Sequence, residues 1–273
     1  MSALGRKQTL SFIEKLRPFA LTSEIWHHCS SMGIKMKFTT IFMLFFVSCA
    51  NAAEVRISHC KGACPTGAPD TNDLIVTPIY ALSNNPETKF ADWVAYQVTR
   101  ATIGTSADHN RSWRADPQLD DDETLEPDDY QGASNALGTD RGHQAPLAAF
   151  SGTVFWRITN YLSNITPQKK ALNQGPWMRL EARVRDAAYR LNGVYVVTGP
   201  LYEAATEFLP LADETHKVPS GYWKIIVKNN DAVGFIMEQN AERNMEECET
   251  VTPLLDIERR SGLTFFPNLN LND

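Results

Sequence analysis

The chain alternates short strand-like segments with two helix-like segments, without the regular strand–helix rhythm of a parallel sheet. Apolar residues occupy alternate positions in 93–99, the period of a strand with one buried face. The strand-like stretches 222–227 and 233–237 flank Asn229-Asn230-Asp231, which predicts a hairpin. The sequence therefore predicts an α+β fold, in one domain built around an antiparallel sheet flanked by helices and loops.

The longest predicted helix covers 172–191, where Leu180, Val184 and Ala188 recur on one face. Pro176 lies inside it, three residues after Asn173. Proline is tolerated in a first helical turn, but it would kink a helix that begins well before Leu172. The other predicted elements are strands at 73–80 and 194–198, the second ending at Gly199-Pro200, a loop region at 101–138, and a helix at 253–260 that stops at Gly262.

An apolar run, F-T-T-I-F-M-L-F-F-V-S-C at 38–49, follows two lysines and precedes the small residues Ala50-Asn51-Ala52. This order predicts a secretory signal peptide at 36–52, and the run is too short for stable membrane insertion. Because such signals work at an N-terminus, we expect translation to begin near Met32 or Met36, with 1–35 an upstream over-call. Residues 53–273 would then form the single mature domain.

Export would place the domain outside the cytoplasm, secreted or periplasmic, in an oxidising compartment. Cys60 and Cys64 lie in the tight segment C-K-G-A-C-P-T-G, which favours a disulfide; a zinc half-site is the alternative, although no second ligand pair has matching spacing. Cys248 is then buried, free or paired between chains. An alternative reading of V-S-C makes Cys49 a lipid-anchored cysteine.

The formal net charge of −6 argues against a basic coat for nucleic acid, but it does not exclude a local basic groove. The acidic stretch 120–129 is typical of a solvated loop rather than of a metal site. Several basic residues flank the motifs described below and predict a positive groove: Arg100, Arg111, Arg114, Lys169, Lys170, Arg179, Arg183 and Arg185.

The segment T-D-R-G-H-Q-A-P, from Thr139 to Pro146, concentrates chemically useful side chains. His143 can accept a proton near neutral pH, and Arg141 can neutralise a phosphate. Gly142 permits a close approach of the backbone to a substrate or metal. Taken alone, however, this segment is more typical of a turn whose histidine is simply hydrogen-bonded.

A second segment, 162–181, embeds polar side chains among Leu, Ile and Trp. Asn173, Trp177, Glu181 and Arg185 recur every four residues and predict a polar stripe along one side of a helix. An exposed Glu–Arg pair at this spacing is the plainer alternative. An amide oxygen such as that of Asn173 also suits Mg²⁺, which needs only one or two protein oxygens.

Together, D-R-G-H-Q-A-P and N-I-T-P-Q followed by L-N-Q-G-x-W-x-x-L-E resemble the DNA/RNA non-specific endonuclease family, which has the ββα-metal fold, and its secreted members in particular. The resemblance extends over about 55–263. It implies a secreted, Mg²⁺-dependent endonuclease, for which Mn²⁺ can substitute. It also implies hydrolysis of DNA and RNA without sequence preference, 5′-phosphorylated products, and a homodimer as one assembly.

The resemblance also implies roles for individual residues. His143 corresponds to the general base, and Asn173 to the protein ligand of Mg²⁺. Glu181 corresponds to an acid that holds water next to the metal and assists the leaving group. The other positions are Arg111, Arg141 and Arg185 as phosphate-site arginines, Asn164 near the scissile phosphate, and Asp140 as an acid that orients the base.

This chain differs from the family pattern at Pro176 and in a short C-terminus, which leaves Cys248 without its expected partner. We therefore expect lower stability, a different oligomeric state or impaired activity. Two other functions stay open at this stage: a nucleic-acid-binding relative with impaired catalysis, and an exported phosphodiesterase that acts on small molecules.

Overall fold

The computed structural model describes residues 57–204, 207–269 and 271. Its centre is a seven-stranded antiparallel sheet in the order β1-β2-β3-β6-β7-β8-β9, and a separate two-stranded sheet pairs β4 with β5. The strands are β1 (Asp73–Val76), β2 (Ala81–Asn85), β3 (Phe90–Val98), β4 (Thr139–His143), β5 (Ile165–Lys169), β6 (Val194–Leu201), β7 (Gly221–Lys228), β8 (Asp231–Glu238) and β9 (Val251–Thr252).

The helices are short except for one that packs on the central sheet. No helix in the described ranges is long and apolar enough to cross a membrane. The α-helices are α1 (Ala133–Ala136), α2 (Leu147–Phe150), α3 (Lys170–Leu172), α4 (Met178–Arg190) and α5 (Leu254–Ser261). A kinked segment, Asn173–Trp177, joins α3 to α4 and is called the π turn below.

Each face of the central sheet buries its own apolar core, because alternate side chains of a strand point to opposite faces. Tyr96 of β3 and Tyr222 of β7 face the core that α4 covers with Leu180 and Val184. Their strand neighbours face the second core, which contains Trp93, Trp223, Ile257 and Phe265. The predicted α+β fold with a central antiparallel sheet is confirmed.

The predicted hairpin is also confirmed. β7 and β8 pair up to Lys228 and Asp231, so that Asn229 and Asn230 form a two-residue turn. Asn229 has φ 55°, a left-handed conformation that asparagine tolerates well. The stop signal after the last helix is confirmed as well, since Gly262 caps α5 with φ 73°.

Two predicted elements were wrong in extent. The strand predicted at 73–80 ends at Val76, because the side chain of Thr77 accepts hydrogen bonds from the backbone of Ile79 and Tyr80 in a tight turn, and the next strand begins at Ala81. The strand predicted to end at Gly199-Pro200 continues to Leu201. Beyond Thr198 the strand β6 is paired only with β7, so a proline there removes no hydrogen bond to β3.

The predicted disulfide is present between Cys60 and Cys64, with a Cα–Cα distance of 4.8 Å. Cys248 is half-buried and forms no disulfide within the described chain. The predicted signal peptide at 36–52, the upstream segment 1–35 and the alternative anchor at Cys49 all lie outside the described residues.

Candidate active site

A cleft of about 590 Å³ opens between the β4–β5 hairpin and the start of α4. The hairpin followed by the helix forms a ββα unit. The cleft brings together seven of the eight residues that the sequence nominated for catalysis or metal binding: Arg111, Asp140, Arg141, His143, Asn173, Glu181 and Arg185.

The β4–β5 register fixes the position of the D-R-G-H segment. Asp140 lies opposite Gln168, and His143 lies opposite Ile165. Gly142 is required here because a Cβ at this position would lie 2.8 Å from the Cβ of Gln168, which is itself buried. The glycine thus lets the two strands pack closely while the side chains on either side of it reach the cleft.

His143 has a defined tautomer. Its Nε2 lies 3.1 Å from Oδ1 of Asn160. An amide oxygen only accepts hydrogen bonds, so Nε2 carries the proton and Nδ1 keeps the lone pair. No described residue hydrogen-bonds Nδ1. The imidazole therefore has its basic nitrogen free.

The surroundings of His143 keep it neutral. Burial lowers the pKa of His143 to about 4, and the positive charge of Arg111 acts in the same direction, whereas the hydrogen bond that His143 donates to Asn160 acts to raise the pKa. The Trp113 ring lies 5.3 Å away and covers one side of the imidazole. At neutral pH the side chain is therefore in the form that can accept a proton.

Replacing Asn160 with Asp should raise the pKa of His143 by one unit or more, because a carboxylate next to Nε2 favours the imidazolium. The measurement is an NMR titration of the His143 ring in the metal-free protein, with His143→Ala to assign the signal. An unchanged titration would show that Asn160 does not control this histidine.

Arg141 is held by aromatic rings rather than by an acid. Its guanidinium lies 5.0 Å from the centre of the Tyr130 ring and 5.7 Å from that of Trp113. Its Nη2 donates to the carbonyl of Pro127 at 2.9 Å. Cation–π contacts of this kind contribute roughly 0.5–2 kcal/mol and leave the positive charge uncompensated.

Three arginines of the cleft, Arg111, Arg141 and Arg185, form no salt bridge with any acidic residue of the described ranges. Of the other basic residues predicted for the groove, three have their charge paired with an acid. Arg179 and Arg183 pair with the buried Glu247, and Lys169 pairs with Glu207. Arg100 and Arg114 lie over tyrosine rings, and Lys170 donates to the carbonyl of Ser134.

The helix predicted at 172–191 is broken where Pro176 occurs. α3 begins at Lys170, and the π turn interrupts the helix before α4 starts at Met178. Gly175 has φ −112° and ψ −116° there, and a Cβ on it would lie 2.7 Å from the carbonyl of Arg243. The chain is therefore kinked at Gly175, between Asn173, which lines the cleft, and α4.

Asp140 orients Asn173 rather than the histidine. Its Oδ2 accepts hydrogen bonds from Nδ2 of Asn173 at 3.0 Å and from Nε2 of Gln174 at 2.8 Å. The expectation that Asp140 orients His143 is therefore corrected, since Asn160 has that place. With Nδ2 engaged, Oδ1 of Asn173 has no hydrogen-bond partner among the described residues. The carboxylates of Asp140 and Glu181 line the same cleft, and a free amide oxygen in such surroundings suits a hard cation such as Mg²⁺.

Glu181 faces the same cleft, eight residues after Asn173. Burial raises the pKa of Glu181 to about 6, while the positive charges of Lys224 and Arg185 and an interaction with Trp177 act against that increase. The predicted stripe therefore divides in two: Asn173, Glu181 and Arg185 line the cleft, whereas Trp177 is buried in the core.

Asn164 is the exception among the nominated residues. It is fully buried and does not line the cleft. Its Oδ1 accepts from the backbone N–H of Ala145, and its Nδ2 donates to the carbonyls of Ala145 and Thr159. The side chain thus ties the segment after His143 to the segment that carries Asn160, which is a positioning role.

A cluster of four acidic residues is separate from the residues that line the cleft. Glu126, Asp129, Asp213 and Glu214 have carboxylate oxygens within 4.8 Å of one another. Two of them belong to the stretch 120–129 that the sequence analysis assigned to a solvated loop. Acidic side chains often gather without an ion, and no described basic side chain bridges these four.

Sequence reasoning missed four residues around the cleft. Asn160 was overlooked although it lies four residues before the nominated Asn164. Trp113 follows Arg111 closely in R-S-W-R, and that proximity was the available signal. Tyr130 and Lys224 carried no local signal, since they reach the site only through the tertiary fold.

The fold and the cleft define a nuclease of the ββα-metal class. The chain belongs to the DNA/RNA non-specific endonuclease family, whose model matches residues 63–272. It is therefore an enzyme, a hydrolase. The nuclease of Serratia marcescens is 42% identical over 246 residues, covering 87% of this chain and 91% of that protein.

More distant relatives support the same assignment. Nuclease C1 of Cunninghamella echinulata var. echinulata is 30% identical over 238 residues, covering 76% of this chain and 88% of that protein. Mitochondrial nuclease EXOG of Xenopus laevis is 32% identical over 70% of this chain and 57% of its own length. A crystal structure of the EndoG/EndoGI complex matches with TM-score 0.62 and 24% identity, over 73% of this chain and 86% of that chain, which supports the fold.

Proposed function

We propose that this protein is an exported, Mg²⁺-dependent endonuclease that hydrolyses DNA and RNA to 5′-phosphorylated products, with His143 as general base and Asn173 as the metal ligand. The observation that carries the proposal is the state of His143. It is neutral, its Nδ1 is free, and it faces a cleft with three arginines that form no salt bridge in the described ranges. A proton acceptor beside a site for anions fits water attack on a phosphodiester.

In the proposed reaction, Nδ1 of His143 removes a proton from a water molecule, and the oxygen of that water attacks phosphorus. The bond from phosphorus to the 3′ oxygen breaks, and the 3′ oxygen takes a proton from a second water molecule that Glu181 holds in the cleft. Arg111, Arg141 and Arg185 stabilise the negative charge that develops on the phosphate oxygens. Mg²⁺ bound at Oδ1 of Asn173 would supply further positive charge for the transition state and the leaving oxygen. The bound phosphate also raises the pKa of His143 again, because an anion favours the imidazolium.

The proposed lack of sequence preference follows from what lines the cleft. Arginine, histidine and carboxylate side chains there suit the phosphate backbone, which is the same in every sequence. Export is supported by the signal-like segment 36–52 and by the Cys60–Cys64 disulfide, which is stable in an oxidising compartment.

Purified mature protein should convert plasmid DNA and long RNA to short fragments with Mg²⁺ and leave both intact with EDTA. The fragments should accept 5′-end label only after phosphatase treatment. Salt should slow cleavage, because arginine–phosphate contacts release counterions. Binding of both polymers without cleavage under Mg²⁺ would instead identify a catalytically impaired relative. Cleavage of small phosphodiesters alone would identify a small-molecule phosphodiesterase.

A further inference from the structure

Lys224 is a fully buried lysine in the middle of β7, beneath the cleft. It points to the face of the sheet that α4 covers, whereas its neighbours Trp223 and Ile225 point to the opposite core. An ammonium group without water is costly unless hydrogen bonds and a counter-charge compensate it. A lysine in this place therefore needs a partner.

Among the described residues, Lys224 has one hydrogen-bond acceptor, and one acid whose charge acts on it. Its Nζ donates to Oη of Tyr96 at 3.2 Å and lies 4.5 Å from the centre of the Trp177 ring. The negative charge that acts on it is that of Glu181. Tyr96 in turn contacts the carbonyl of Gln144, the residue after His143, at 3.4 Å. Lys224 is thus connected through Tyr96 to the segment that follows His143, and its charge acts on Glu181.

The geometry points to Lys224 as a positioning residue, whose buried positive charge keeps Glu181 ionised and directed into the cleft. This inference rests on the proposed role of Glu181 in the nuclease reaction. Lys224 does not line the cleft and so does not touch the substrate. It acts through Glu181, as a counter-ion built into the central sheet.

The electrostatics agree with this geometry. Burial raises the pKa of Glu181 to about 6 and lowers the pKa of Lys224 to about 8, and each charge counteracts the shift of the other. Both groups are therefore charged between about pH 6 and pH 8. The other groups that face Glu181 are Arg185 on the same helix, Trp177 in the π turn, Tyr96 on β3, and Asp140, His143 and Arg111 around the cleft.

The sign of each shift shows that burying these two charges opposes folding. A raised carboxyl pKa means that folding stability falls as pH increases from 4.5 to about 6, since the folded state holds the proton more tightly. A lowered lysine pKa means that stability rises as pH increases from about 8 to 10.5. Between about pH 6 and pH 8 the folded protein keeps both charges buried, which lowers its free energy of unfolding. A functional role for the two residues is consistent with this loss of stability.

The test replaces Lys224 with Met, which keeps most of the volume and removes the charge. The 13C signal of the Glu181 carboxyl, assigned by its loss in Glu181→Gln, should titrate near pH 6 in the metal-free protein and at least one unit higher in Lys224→Met. With Mg²⁺ and DNA, the acidic limb of the pH profile of kcat should also move to higher pH in Lys224→Met. Compared with the wild type at pH 7, kcat should be at least about tenfold lower and KM should agree within about twofold.

The matched control is Lys89→Met. Lys89 is also buried, but its Nζ donates to backbone carbonyls of Pro86 and Asp122 and has no part in the cleft. Its removal should leave the Glu181 titration and the acidic limb where they are. A Glu181 titration unchanged in Lys224→Met, or shifted equally by Lys89→Met, would overturn the inference. Because this titration needs neither metal nor DNA, it is decided separately from the proposed nuclease activity.

If Lys224→Met does not fold, a stability cycle tests the same coupling. Glu181→Gln leaves Lys224 buried without its counter-charge, so its melting temperature at pH 7 should be below that of the wild type. Glu181→Gln combined with Lys224→Leu should melt above Glu181→Gln alone, because the uncompensated charge is then gone. A double variant that melts no higher than Glu181→Gln alone would refute the pairing.

Discussion

Replacing His143 with Ala should reduce kcat for DNA and RNA by about 10²–10⁴-fold, the contribution usual for a general base. The loss follows from the geometry, because Nδ1 of His143 is the free basic nitrogen of the cleft and Asn160 holds the ring in that tautomer. Initial rates on plasmid DNA at saturating Mg²⁺ and pH 7 provide the measurement. KM should change little, since the arginines that contact phosphate are intact.

The matched control is His109→Ala. His109 is also half-buried and stacks on Trp156 at 4.1 Å, but it does not line the cleft. It should retain wild-type kcat. Adding imidazole to His143→Ala should restore part of the rate, because a small base can enter the space that the ring leaves. A rate within tenfold of the wild type, or no difference between the two histidine variants, would exclude His143 as the base.

The elements predicted correctly were those whose conformation depends on residues close together in the sequence. The hairpin at Asn229-Asn230 and the cap at Gly262 were predicted correctly, because turn and cap conformations depend on a few adjacent residues. The end of β6 was misplaced at Pro200. Proline is tolerated there because β6 pairs with β3 only as far as Thr198. The residues around Pro200 in the sequence do not indicate where that pairing stops.

The same limit applies to the site. His143 and Asn173 were nominated because the two segments that contain them together resemble the motifs of a known family, whereas each segment alone has a plainer structural explanation. The hydrogen-bond partners of these residues were not predicted: Asp140 precedes the histidine by three residues but bonds to Asn173, which is 33 positions away. The partner of the histidine is Asn160, brought there by the segment that Asn164 anchors.

Lys224 shows the limit most clearly. In the sequence it is a single charge in the strand G-Y-W-K-I-I-V-K, and a lone lysine in a strand is normally exposed. Its burial follows from strand period: it shares a face with Tyr222 and Ile226, and that face is covered by α4. Only the assembled sheet shows that the face is covered and that Glu181 lies above it.

Replacing Asn173 with Ala should have the second large effect, because it removes the amide oxygen left free for Mg²⁺. We expect a loss of about 10³-fold in kcat at low Mg²⁺ and a higher half-saturating Mg²⁺ concentration, as several kcal/mol of charge stabilisation depend on the ion. Cleavage rates over a Mg²⁺ titration provide the measurement. Asn135→Ala, on the exposed side of α1, is the control and should match the wild type.

Asp140→Ala separates ligation from orientation. Asp140 fixes the Asn173 amide through Nδ2, so its loss should weaken Mg²⁺ binding by roughly 10–100-fold, the range usual for residues that orient a metal ligand. High Mg²⁺ should then restore most of the rate in Asp140→Ala but not in Asn173→Ala. If both variants recover fully, or if the half-saturating concentration is unchanged in Asn173→Ala, Asn173 is not the ligand. Recovery in Asp140→Ala alone would mean that the π turn presents the amide and the carboxylate holds it in place.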